Sequence, residues 1–85
     1  MADRDLPVKR LMRILRSFGS TVEFSANGYV KAWRSIPSGE TLGWMQHCHR
    51  GIHDTISRQA VRIARRRLRL RAEDGTSDET FYSAR

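Results

Sequence analysis

Apolar residues recur near the start of the chain with the spacing of a helix. Val8, Leu11, Met12, Ile14, Leu15 and Phe18 fall on one side, while Lys9, Arg10, Arg13 and Arg16 fall on the other. This predicts a helix from about Pro7 to Phe18, with Asp5 as its N-cap, Pro7 in its first turn and Gly19 as its left-handed stop. The period then changes to two. Thr21-Val22-Glu23-Phe24-Ser25 alternates, Asn27-Gly28 marks a turn, and Tyr29-Val30-Lys31-Ala32-Trp33 alternates again. A two-residue loop would put Val22 and Phe24 on the face of Lys31. A three-residue loop, Ala26-Asn27-Gly28 with Gly28 left-handed in a bulge, instead pairs Phe24 with Val30 and Val22 with Ala32. It also sets Glu23 opposite Lys31 and Thr21 opposite Trp33, which separates an apolar face from a polar, aromatic one. The second register is the one expected.

Ile36-Pro37-Ser38-Gly39-Glu40 reads as a loop and Thr41 to Gln46 as a third strand. After the loop from His47 to His53, Asp54 or Thr55 is expected to cap a last helix that runs to about Arg71. Its apolar side holds Ile56, Ala60, Val61, Ile63, Ala64, Leu68 and Leu70; Arg58, Arg62, Arg65, Arg66 and Arg69 gather opposite. Arg67 and Arg71 interrupt the apolar side near the end, so the last turn is expected to project past the core. The order is α-β-β-β-α. It predicts an α+β fold, a three-stranded antiparallel sheet with two helices packed on one face. One domain covers residues 1–71, and residues 72–85 read as an acidic, disordered tail.

Charge sharpens this picture. Sixteen Lys and Arg stand against nine Asp and Glu, for a net +7, and fourteen of the sixteen are Arg. Residues 1–71 hold all but one of these cations and five of the nine anions, so they carry +10, and the last fourteen residues carry −3. Arginine suits bidentate phosphate contacts and stacking on bases, so the bias points to nucleic acid. From Arg58 to Arg71 there is no acidic residue at all. An ordinary solvated helix mixes signs, and like charges this close repel until a polyanion relieves them. One cysteine, Cys48, excludes an internal disulfide framework and fits a reducing compartment. No apolar run resembles a signal peptide or approaches the ~18 residues of a membrane span, so a soluble, cytoplasmic protein with no membrane partner is expected. A domain of 85 residues buries a modest core, whose stability a homodimer or a bound partner would raise.

Three groups of side chains carry candidate chemistry. The first is the Arg faces: Arg58, Arg62, Arg65, Arg66 and Arg69, supported by Arg10, Arg13 and Arg16, as phosphate contacts. The second is the outer sheet face, where Tyr29, Lys31, Trp33 and, if not in the core, Trp44 interleave aromatics with a cation and can stack bases. The third is His47-Cys48-His49, with His53 four residues on. Imidazole changes charge near neutrality, so His47 and His49 can act as acid and base on an RNA 2′-hydroxyl. These are also zinc-ligand types, but structural fingers bring two separated ligand pairs, so neither metal nor other cofactor is expected.

Four stretches resemble the HicA family, the small mRNA-cleaving toxins of bacterial toxin–antitoxin pairs. They are Leu11-Met12-Arg13-Ile14-Leu15-Arg16-Ser17-Phe18-Gly19, Asn27-Gly28-Tyr29-Val30-Lys31-Ala32-Trp33, His47-Cys48-His49, and Ile56-Ser57-Arg58-Gln59-Ala60-Val61-Arg62-Ile63-Ala64. The resemblance implies a double-stranded-RNA-binding-like fold, RNA as partner and an antitoxin as a second one. It also implies a catalytic histidine on the second strand, where this chain has Tyr29. A phenol keeps its proton at neutral pH and is a poor general base. The expected function is therefore RNA binding without efficient catalysis. The alternatives are a ribonuclease using a loop histidine, and a phage- or mobile-element-encoded inhibitor that docks on an acidic protein.

Overall fold

The structure, a computed structural model, describes residues 3–85. In chain order the elements are β1 (Leu6–Pro7), α1 (Val8–Ser17), β2 (Thr21–Phe24), β3 (Tyr29–Ser35), β4 (Thr41–His47), β5 (Thr55–Ile56), α2 (Arg58–Arg67) and α3 (Asp78–Ser83). Strands β2, β3 and β4 form a three-stranded antiparallel sheet in that order, and β1 pairs with β5 in a separate two-residue ladder. The fold is α+β. Val22, Val30, Ala32, Leu42 and Trp44 from the sheet share one buried cluster with Val8, Leu11, Ile14 and Leu15 of α1 and with Val61 and Ala64 of α2.

The hairpin takes the register that separates its faces: Phe24 opposite Val30, Val22 opposite Ala32, Glu23 opposite Lys31 and Thr21 opposite Trp33. Gly28, at φ 85°, makes the turn. Trp44 pairs with Ala32 and is buried, so it belongs to the core and not to the outer sheet face. Helix α1 stops at a Schellman turn in which Ser20 N–H donates to Leu15 O and Gly19 N–H to Arg16 O, with Gly19 left-handed as expected.

Both helix starts differ from expectation for one reason. Asp5 does not cap α1; its carboxylate accepts from Arg58 N–H at 2.7 Å, at the start of α2. Asp54 does not cap α2, because it accepts from the Thr55 and Arg50 N–H groups (2.8 and 3.3 Å), which holds its carboxyl below the usual range. Thr55 is extended against Pro7 in the β1–β5 ladder, so the cap moves to Ser57, whose hydroxyl accepts from Ala60 N–H. The short ladder thus ties the two helix N-termini together.

Helix α2 ends at Arg67, not near Arg71. Leu70 N–H donates to Arg65 O and Arg69 N–H to Arg66 O, a second Schellman turn, here with Arg69 at φ 55° where glycine is usual. The turn folds the chain back, and Leu68 and Leu70 enter the core instead of projecting past it.

Residues 72–85 are not a disordered tail, and the domain does not end at 71. Ser77 caps α3, accepting from Thr80 N–H, and α3 buries Phe81 and Tyr82 completely or nearly so. Phe81 stacks on Phe18 at 5.9 Å between ring centroids. Beside it Arg65 is buried, its guanidinium 4.6 Å from the Phe81 ring centroid. Arg65 donates to Asp3 and Asp78 (2.8 and 2.7 Å) and to the carbonyls of Leu70 and Thr76. Burial alone would lower the pKa of this guanidinium, but the two carboxylates raise it. The Tyr82 hydroxyl donates to Asp3 at 2.6 Å and accepts from Arg4 N–H.

This junction makes stability fall at both pH extremes. The hydrogen bond from Arg65 holds the Asp78 carboxyl below its ordinary 3.8. The unfolded chain then binds the extra proton first, so this contribution is intact above pH 3.8 and is lost as pH falls through the lower folded value. Burial, then the Asp3 bond, pushes the Tyr82 phenol up to about 12, so its contribution is intact below 10 and lost as pH rises from there towards 12. Near-UV circular dichroism is expected to show both losses, and Asp78→Asn to flatten the acid limb. An acid limb unchanged in Asp78→Asn would refute the assignment.

Candidate nucleic-acid interface

Helical spacing puts Arg58, Arg62 and Arg66 on one stripe of α2, four residues apart, and all three are exposed. The buried side of α2 is Ala60, Val61, Ala64 and Arg65. Ile63, expected in the core, is 40 % exposed and lies beside the stripe. With Gln59, Arg62, Arg66 and Arg71 it lines a concavity of about 370 Å³.

The predicted five-arginine face is thus a three-arginine face. Arg65, at the edge of the buried arc, is drawn inward by Asp3 and Asp78 and cannot reach a ligand. Arg69 leaves the helix at the left-handed turn and pairs with Glu40 at 3.2 Å; both side chains are about half exposed, so the pair adds little stability. Arg71 pairs with Glu73 at 3.2 Å and lies 3.6 Å from Asp74. Among the described residues no such ion pair is formed by Arg58, Arg62 or Arg66, which remain the part of the face open to an outside anion.

On α1, Arg10, Arg13 and Arg16 are exposed. Arg10 donates to Tyr82 O at 2.7 Å and Arg16 to Val22 O at 3.0 Å. A carbonyl orients a guanidinium without cancelling its charge, so both stay cationic surface. Arg10 and Arg13 line a second concavity of about 550 Å³ with Ser83, Ala84 and Arg85 of the C-terminal segment. Lys31 is exposed and Trp33 half-buried on the outer sheet face.

The strand register brings the three candidate catalytic residues together. Tyr29 stands opposite His47 across the β3–β4 ladder. Their rings meet edge-on at 4.9 Å, and His47 meets His49 edge-on at 4.7 Å. Cys48 N–H donates to Gly28 O at 2.7 Å, tying this loop to the hairpin turn. A Cβ on Gly28 would lie 3.5 Å from His47 Nε2, so the turn approaches the imidazole closely. His53 is exposed on the turn Gly51–His53. Cys48 packs in the core, and burial raises its thiol above the ordinary pKa, which disfavours the thiolate. Among the described residues no three or more His, Cys, Asp or Glu side chains are grouped to hold a metal ion, and no helix is long and apolar enough to cross a membrane.

Sequence reasoning missed the internal use of Arg65 and the place of Arg71 in the concavity beside the stripe. Comparison of the chain with protein-family models, with curated proteins and with solved structures returns no match.

Proposed function

We propose that this chain is a small RNA-binding module that grips the phosphate backbone through Arg58, Arg62 and Arg66, without efficient catalysis. One observation carries the reading. Neighbouring Arg65, Arg69 and Arg71 are each matched to the protein's own carboxylates, whereas the stripe beside them forms no such pair among the described residues. Clustered like charges cost stability that a polyanion returns. The resemblance to HicA toxins and the succession of α1, the β2-β3-β4 sheet and α2 favour RNA as that polyanion and a cytoplasmic setting. The test is a titration of fluorescent RNA and DNA with the wild type and with Arg62→Glu plus Arg66→Glu. The wild type is expected to bind RNA and the double variant to bind it much more weakly at unchanged melting temperature. Unchanged RNA affinity in the variant would overturn the reading. A partner retained after nuclease treatment would assign the stripe to an acidic protein, such as an antitoxin or an inhibitor's target.

The ring cluster supports a second reading, a ribonuclease. One imidazole would take the proton of the RNA 2′-hydroxyl as that oxygen attacks the adjacent phosphorus. The other, protonated, would give its proton to the departing 5′-oxygen, leaving a 2′,3′-cyclic phosphate and a 5′-hydroxyl. This reading assigns His47 and His49 to those two roles; their rings, in edge contact at 4.7 Å between centroids, would have to separate to admit the phosphate, with the Tyr29 hydroxyl available to hold it. Cyclic-phosphate ends produced by the wild type, and reduced at least ~100-fold in His47→Ala plus His49→Ala, would support it. Intact RNA with both proteins would remove it.

A further inference from the structure

The outer face of the sheet holds a cleft of about 360 Å³ that the α2 stripe does not use. Its lining includes Lys31, Trp33, Gly43, Met45 and Arg67. Trp33 stands directly opposite Gly43, and Lys31 opposite Met45, so the four share one face of the β3–β4 ladder. Ala32 and Trp44, between them, turn their side chains into the core, which leaves strand backbone as the floor.

Gly43 is the informative residue. Glycine inside a strand costs stability, and it is usually explained by a left-handed backbone or by crowding. Neither applies. Its φ is not positive, and a Cβ built there would meet only Ala32 O, at an ordinary 3.8 Å. What the missing side chain does is leave the ladder position directly opposite Trp33 without a side chain. Met45, 53 % exposed, supplies a polarizable second wall. Glu23 faces Lys31 from β2, so the cation that gives the cleft its positive character is Arg67.

We infer that this cleft takes one unpaired nucleobase, stacked on Trp33 above Gly43, with its phosphate towards Arg67. The inference rests on the RNA-binding reading and narrows it to single strands, because a base inside a duplex cannot reach the sheet. Stacking on an aromatic side chain tolerates any base, so little sequence preference is expected.

The test compares a ten-nucleotide oligoadenylate with an abasic strand of equal phosphate count, read by anisotropy. The wild type is expected to prefer the base-bearing strand about tenfold, in the lower part of the range for one stacked base. Gly43→Val fills the cleft at a position that admits a Cβ, and valine suits a strand, so this variant keeps or raises its melting temperature. It is expected to bring the ratio to within about twofold. A tenfold preference surviving in Gly43→Val overturns the inference. Arg62→Glu plus Arg66→Glu is expected to weaken both strands alike and leave the ratio intact, so the ratio reports on the cleft and the absolute affinity on α2. As an independent arm, millimolar adenosine monophosphate is expected to quench wild-type tryptophan emission while ribose 5-phosphate does not. The quench is expected to vanish in Gly43→Val and in Trp33→Phe. Its absence from the wild type overturns the inference even if both oligomers bind. Its presence without oligomer binding keeps the cleft and overturns the α2 reading. A dimer in sedimentation that dissociates in Gly43→Val assigns the face to a second copy of the chain and also overturns the inference.

Discussion

Deleting residues 72–85 is expected to abolish cooperative unfolding. The segment contributes Phe81 and Tyr82 to the core and Asp78 to Arg65. Truncating one buried Phe to Ala costs about 3–5 kcal/mol. Removing a partner from a buried charge costs a similar amount, about 3–5 kcal/mol. Arg65 would keep Asp3 and the Leu70 carbonyl but would lose Asp78, the Thr76 carbonyl and both aromatic rings. Small domains hold a total of about 5–15 kcal/mol, so the combined loss approaches or exceeds all of it. Phe81→Ala alone is expected to lower the melting temperature by about 15 °C or more. Thermal and urea unfolding followed by far-UV circular dichroism checks both variants. A truncated chain that melts cooperatively at the wild-type temperature would show the segment to be dispensable.

That expectation opposes the plain reading of the C-terminal composition, and the reason is instructive. Residues 72–85 are polar and acidic on average, and an average hides two adjacent aromatics. Ser77, then Asp78 and Glu79, is a helix start with acids in its first turn, and Phe81-Tyr82 follows at once. The signal was present but short, six residues of helix whose stability comes from docking and not from propensity. Longer periodic segments were legible. The apolar stripe of α1 and the alternation of β2 and β3 predicted both the elements and the hairpin register, because a slip of one residue would have turned Lys31 inward.

Arg65 shows where one-dimensional reading stops. On a helical wheel it groups with its charged neighbours, and nothing local marks it as buried. Its partners Asp3 and Asp78 lie 62 and 13 residues away, so only the tertiary fold reveals the pairing. The same holds for Tyr29 and His47, whose ring contact depends on the β3–β4 register. The exposed stripe, in contrast, follows from spacing alone and appears where the sequence puts it.

Replacing Arg58, Arg62 and Arg66 together by alanine is expected to weaken RNA binding at least ~100-fold at low salt, with stability unchanged or slightly raised. Each guanidinium in contact with phosphate releases counterions on binding, and that release is the main source of non-specific affinity. The helix should not suffer, because alanine is the best helix former and the removed charges repel each other. The control is Arg69→Ala. Its guanidinium already has Glu40 as a partner, so its removal is expected to change RNA affinity by about threefold or less. Equal losses from the control and from each stripe position would mean that net charge, not placement, determines binding.

The most direct measurement is the dependence of RNA affinity on salt concentration, in the wild type and in the Arg58, Arg62 and Arg66 alanine variant. The slope of log K against log salt is about −0.7 per neutralised phosphate on single strands. If the three side chains each hold a phosphate, the variant's slope is expected to be shallower than the wild type's by about 2. Two parallel lines would contradict the account, because the phosphates would then be held by other residues.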